Sequence, residues 1–218
     1  MINNLDIFDS VKSEAIKELS SEILETTFDL MTDSEVLKEI PIFGLGFKSY
    51  GLYQTLTESF FVKKLMKFLF ELKEIPFDKR QKFIQDLEDK EETTKAGEKL
   101  LITLTRLNDA DKATIIGRLF KHTILGEIEF NDFNRLSHII DNAFTNDLML
   151  LKKNPHLGYI DENIKSNLNQ LGLLKQSISD FQKHQEFLDR QGSGSKAIPK
   201  LQYEANEYCK ILINYGLE

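Results

Sequence analysis

Apolar residues return at three- and four-residue steps along most of this chain, the pattern of helices that each bury one stripe. Phe8, Val11, Ala15, Leu19, Ile23, Thr27 and Leu30 trace such a stripe and predict a long amphipathic helix over residues 8–31, with Asp9 or Ser10 at its start. A short helix is expected from Ser34 to Glu39, ending at Pro41, because the residue before a proline avoids the α region. Gly44, Gly46 and Gly51 make the following stretch loop-like. From about Tyr53 to Glu74 the positions Phe61, Val62, Leu65, Met66, Phe68, Leu69 and Leu72 form a stripe wide enough to predict a central, mostly buried helix. Pro76 suits the first turn of a helix carrying Phe77, Phe83, Ile84 and Leu87. Beyond a charged run at residues 88–99, Leu100, Leu101, Leu104 and Leu107 mark another helix. Asn108 or Asp109 then caps a helix that turns Ala113, Ile116, Phe120 and Ile124 inward and stops at Gly126.

The last ninety residues have a different texture. Phe130, Phe133, Leu136, Ile140 and Phe144 mark one helix, and Thr145 can cap a second with Leu148, Met149 and Leu151. Asp161 starts a third with Ile164, Leu168 and Leu171, closed by Gly172. LLKQSISDFQ then alternates like a strand, residues 184–199 read as a polar, flexible excursion, KLQY suits a second strand, and Glu204 to Tyr215 suits a final helix. Three helices, strand, loop, strand, helix is the order of a winged helix. The fold class expected is therefore all-α, mainly a helical bundle at residues 1–128, with a small winged-helix-like part at residues 129–218 containing a short β-hairpin.

Composition narrows the function classes. The 218 residues carry 28 basic and 35 acidic side chains, a net charge of −7. Residues 1–40 hold 3 lysines and 10 acids, so the whole excess sits there and the remainder is neutral. A protein dominated by nucleic-acid binding would show a basic excess, so DNA contact would need a local patch. The lone Cys209 excludes an intrachain disulfide, and the opening MINNLDIFDS has neither a basic segment nor an apolar core, so a cytoplasmic location is expected.

The tract PIFGLGFKSYGLYQTLTESFFVKKLMKFLFELKEIPFDKRQKFIQDLED at residues 41–89 and the later FNRLSHIIDNAFTNDLMLLKK resemble the layout of the abortive-infection alpha proteins of bacteria, over roughly residues 40–218. The resemblance implies a bacterial cytoplasmic protein linked to defence against phage. It carries no established activity and no site residues.

Chemistry is sparse. His122, His138, His156 and His184 stand far apart, none at metal-ligand spacing from another or from Cys209. Gly44 to Ser49 lacks the Gly-Lys-Ser/Thr adjacency of a phosphate loop, and the paired carboxylates, such as Glu91 with Glu92, lie in a solvated charge run. No cofactor, metal or catalytic residue is expected, and a non-catalytic interaction or effector protein is the leading reading. Three surfaces are candidates. Val11, Ala15, Leu19 and Ile23 would serve self-association. In the C-terminal part, Asn163, Lys165, Asn167, Asn169, Lys175, Lys183, Arg190, Lys196 and Lys200 would contact a protein partner or, as the alternative, DNA. Against DNA, residues 140–218 hold 9 basic and 10 acidic residues. Phe43, Leu45, Phe47, Tyr50 and Tyr53 beside Lys63, Lys64 and Lys67 would meet an anionic membrane or a partner, in a stretch, residues 41–86, with a local charge of +3.

Overall fold

Serine side chains shape the N-terminal end. The computed structural model describes residues 7–25, 34–44, 56–90, 93–179, 181–191, 196 and 198–217. Helix α1 (Ile7–Lys12) stops at Ser13, whose hydroxyl accepts from the Ala15 amide and opens a 3-10 turn at Glu14–Glu18. Ser20 likewise accepts from the Ile23 amide as α2 (Ser21–Glu25) begins. The single helix expected over 8–31 is thus broken into three short pieces as far as Glu25; the rest of it lies outside the described residues. Each serine offers the backbone a local alternative to a continuous helix. The chain can then bend around the bundle, keeping Ile7, Phe8, Val11, Ile16 and Leu19 buried.

Ser34 caps α3 (Glu35–Glu39) by accepting from the Leu37 amide, and residues 41–44 add one more helical turn. Pro41 therefore ends one helix and starts another. The buried Ser10 hydroxyl accepts from the Ile42 amide at 2.9 Å and ties this turn to α1.

The centre is the pair α4 (Leu56–Phe70) and α7 (Ala110–Ile124), flanked by α5 (Phe77–Glu88), α6 (Thr93–Arg106) and α8 (Phe130–Asn142). Phe120 of α7 is the hub. Its ring lies 5.5 Å from Phe68, 5.5 Å from Phe83 and 5.0 Å from Phe133, with Phe8 stacked at 6.3 Å. Five elements thus meet at one residue. Asp109 caps α7, its carboxylate accepting from the Asp111 amide, while the expected stops Gly126 and Gly172 both adopt positive φ.

Helices α9 (Thr145–Lys153) and α10 (Glu162–Gln170) lead into β1 (Leu174–Ile178). Phe144, rather than Thr145, occupies the cap of α9; the Thr145 hydroxyl donates instead to Asp109, 2.6 Å away. Strand β1 pairs antiparallel with β2 (Leu201–Ala205), from Leu174 opposite Ala205 to Ile178 opposite Leu201. The expected hairpin is present, but the segment joining its strands contains a helix, α11 (Phe181–Arg190), where a flexible excursion was expected. Gln185 donates to Asp189 and Arg190 lies 3.9 Å from Glu186, the i, i+4 pairs that support an exposed helix. Helix α12 (Glu207–Ile211) runs on into a π-turn at Leu212–Gly216, which packs on α7. One connected cluster of buried apolar residues runs from Ile7 to Leu217, so the core is not interrupted at residue 128.

Candidate functional site

Burial sorts the three surfaces read from the sequence. Val11, Ala15 and Leu19 are buried in their own chain and Ile23 packs against that core. The self-association stripe is thereby corrected: its apolar area is already covered by the bundle. Two members of the membrane-facing set, Phe43 and Lys64, are likewise covered by the chain. Phe43 is buried, and the Lys64 side chain runs inward, its Nζ donating to the Thr105 carbonyl at 2.7 Å and the Leu107 carbonyl at 2.8 Å. Lys67 pairs with Asp111 at 2.5 Å, leaving Lys63 exposed. Leu45, Phe47, Tyr50 and Tyr53 lie outside the described residues. Among the described residues no helix is long and apolar enough to cross a membrane.

The C-terminal set is the one the fold leaves accessible. Asn163 and Asn167 are exposed on α10, with Asn169 partly covered, while Lys175, Arg190, Lys196 and Lys200 are exposed along the ribbon and the segment joining its strands. Lys165 pairs with Glu162 at 2.7 Å. The side chain of Lys183 lies outside what is described. The ribbon also carries apolar surface. Ile178, Ile198, Leu201 and Phe187 are 54% to 73% exposed, all at or beyond the far end of the two strands. Only Leu174 of β1 is buried, so both faces of the ribbon meet solvent over most of its length.

A second polar region was not foreseen. Where α6 ends and α7 begins, buried cations from two helices meet the end of α8. Lys64 closes the C-terminal carbonyls of α6, where a positive charge is favoured. Lys112 donates to Asn108 at 2.9 Å and to the Asp141 carbonyl at 3.0 Å. Burial pushes both lysines below their ordinary pKa, and the Asp141 carboxylate opposes that shift. Asp141 itself pairs with Arg106 at 3.1 Å.

From this Arg106–Asp141 pair a groove of about 370 Å3 runs between α6 and α8. Lys95 and Lys99 stand on its α6 wall, and Ser137 and His138 on its α8 wall. The Ser137 hydroxyl is buried and has no hydrogen-bond partner. Helical threonines elsewhere in this chain, Thr103, Thr105 and Thr123, donate to the carbonyl four residues back; Ser137 does not. An unpaired buried hydroxyl costs about 1–3 kcal/mol. Lys95, Lys99 and Arg106 share one helical face, a spacing visible in the sequence. The residues of the opposite wall, from Phe133 to Asp141, lie well further along the chain, and only the packing of α6 on α8 brings the two sets together.

The remaining reactive groups are dispersed. His122 bonds Glu127 at 2.5 Å and its ring lies 4.5 Å from that of Tyr215, while His156 is exposed elsewhere. Cys209 is buried, which pushes its thiol pKa up to about 11. Among the described residues no three His, Cys, Asp or Glu side chains converge as a metal site would require. No protein-family model, characterised protein or solved structure was found to match the chain.

Proposed function

We propose that this chain is a non-catalytic interaction protein that joins a second copy of itself through the β1–β2 ribbon and α11. The exposed apolar set Ile178, Ile198, Leu201 and Phe187 carries the reading. Among the described residues the sheet has only these two strands, so the outer edge of each is a template for strand addition. The strands suit a copy of themselves. Antiparallel two-fold pairing of β1 about Gln176 sets Lys175 opposite Ser177 and Leu174 opposite Ile178, and pairing of β2 about Tyr203 sets Gln202 opposite Glu204. No like charges oppose each other in either arrangement. The resemblance to abortive-infection alpha proteins supports a bacterial, phage-defence setting for such an assembly.

The alternatives draw less support. A DNA-binding regulator would use α10 and the ribbon, but Lys165 is already paired and charge in this part is balanced. A membrane-associating effector would need Phe43 and Lys64 at the surface, where neither lies. Sedimentation equilibrium on the full chain and on Ile178→Asp/Leu201→Asp tests the proposal. The expected result is a dimer that becomes a folded monomer in the variant, since both side chains are exposed. A monomeric wild type, or a dimer the variant does not disturb, overturns it. Salt-steep binding of duplex DNA by a monomer would favour the regulator instead.

A further inference from the structure

We infer that two copies join edge to edge along β2, making one sheet in the order β1–β2–β2–β1 centred on Tyr203. The inference rests on the self-association proposed above and names the edge that carries it. In an antiparallel ladder alternate residues turn their N–H and C=O toward the paired strand, and the residues between turn theirs away. Two bonds at the ends of the ribbon fix the phase. The Ser179 amide donates to the Lys200 carbonyl at 2.8 Å, and the Asn206 amide donates to the Leu173 carbonyl at 3.2 Å. Both belong to the register that sets Leu174 opposite Ala205. Stepping by two between them, Lys175 and Ser177 bond inward with Glu204 and Gln202. Leu174, Gln176 and Ile178 of β1, and Leu201, Tyr203 and Ala205 of β2, therefore turn their backbone groups outward.

Accessibility separates the two edges, because an added strand must reach those outward groups. Leu174 is only 4% exposed, which closes the β1 edge at its root. On β2, Leu201 is exposed and Tyr203 and Ala205 are only partly covered. Two-fold pairing about Tyr203 makes Tyr203 with Tyr203, and Leu201 with Ala205, the hydrogen-bonded pairs, and so uses every outward group of the strand. The side chains agree. Register and alternation place Leu201, Tyr203 and Ala205 on the same ribbon face as Ile178, Gln176 and Leu174, and the Gln176 side-chain amide donates to the Tyr203 hydroxyl across it at 3.5 Å. That face carries no charge. Joining two ribbons along β2 lays one such row beside the other and sets Leu201, 55% exposed, against Ala205 of the second copy. On the opposite face Glu204, which lies across from Lys175 in its own copy, meets Gln202 of the second.

Disulfide cross-linking of full-chain variants tests the edge. Gln202→Cys and Glu204→Cys, prepared separately and mixed, set two thiols directly opposite across the junction, with Cβ atoms about 4.5–5.5 Å apart. Oxidised glutathione should convert them to a covalent mixed dimer. Lys175→Cys mixed with Ser177→Cys, the pair that joining along β1 would oppose, should stay monomeric on a denaturing gel. Leu201→Pro removes an outward N–H and none that the β1–β2 ladder uses, so it should abolish the dimer and leave helical circular dichroism unchanged. Cross-linking by the β1 pair in place of the β2 pair, failure of the β2 pair to cross-link in a dimeric sample, or a dimer that withstands Leu201→Pro overturns the inference and leaves self-association by another contact standing. A wild type that is monomeric in sedimentation removes both.

Discussion

At the scale of single residues, the interior of this bundle is decided by a few positions where backbone or charge leaves no slack. A Cβ on Gly117 would lie 2.8 Å from the Phe68 carbonyl and 3.0 Å from the Glu71 Cβ. Helix propensity alone favours alanine over glycine by about 1 kcal/mol. Here the clash is with backbone of α4, which cannot rotate away as a side chain can. Gly117→Ala is therefore expected to destabilise by ~1–3 kcal/mol in urea unfolding, the range of overpacked cores. Arg80 is the second such position. It is fully buried on α5, its Nε donating to Ile75 and its Nη1 to the carbonyls of Val11 and Ser13. Burial lowers its pKa and the Glu14 charge opposes that. No carboxylate pairs with it among the described residues, so its work is to fasten the break after α1 onto the bundle. Lysine keeps the charge but loses the fork of donors. Arg80→Lys should cost about 1.5–3 kcal/mol, against no measurable change for Lys79→Arg on the exposed side of α5. Equal effects of the two changes would show that Arg80 contributes only charge.

At the scale of elements, caps join helices as well as ending them. The Asp109 carboxylate closes α7 through the Asp111 amide and receives the Thr145 hydroxyl from the start of α9. Burial pushes its pKa up, but those two hydrogen bonds, helped by Lys112 and Lys67, outweigh this and leave it below the ordinary carboxylate value. Its pKa is thus lower folded than unfolded. The stabilisation it brings is complete above the unfolded value, about 3.9, and fades as pH falls through the depressed folded value. Asp109→Ala should cost ~0.5–2 kcal/mol at neutral pH, a difference that shrinks in denaturant melts taken below pH 4. A penalty that stayed constant to pH 2 would remove the carboxylate from the account. Such a cap is legible in sequence because an Asp before an inward-facing run has one common use. The breaks at Ser13 and Ser20 were not legible, since the same serines fit the polar face of a continuous helix. Only the curvature of the surface beneath decides between the two. Helix α11 was hidden by its own polarity, which matches a loop as well as a solvated helix.

At the scale of the whole molecule, the core is continuous where the change of sequence texture suggests two domains. The texture changes near residue 128 because α9, α10 and α11, of 9, 9 and 10 residues, are shorter than the central α4 and α7, of 15 each. The groove escaped notice because its walls come from helices distant in sequence and no motif joins them. Cys209 makes the question of cooperativity measurable. It lies buried on α12, next to the π-turn that packs Leu212 and Gly216 against Ile115 and Leu119 of α7. With a thiol pKa of about 11 and no exposure, it should resist a thiol reagent at pH 8 until the segment lifts away. If the C-terminal part shares one cooperative core with the bundle, Cys209 labelling and loss of helical circular dichroism should rise together along a urea titration. Leu212→Ala should shift both midpoints down equally. Labelling that runs ahead of the helical transition, and moves alone in Leu212→Ala, would instead give residues 129–218 a stability of their own. The shared packing of Phe120 on α1, α4, α5 and α8 argues for the first outcome. A C-terminal part that opened alone would carry Phe133 away with α8 and strip one of the rings from that hub.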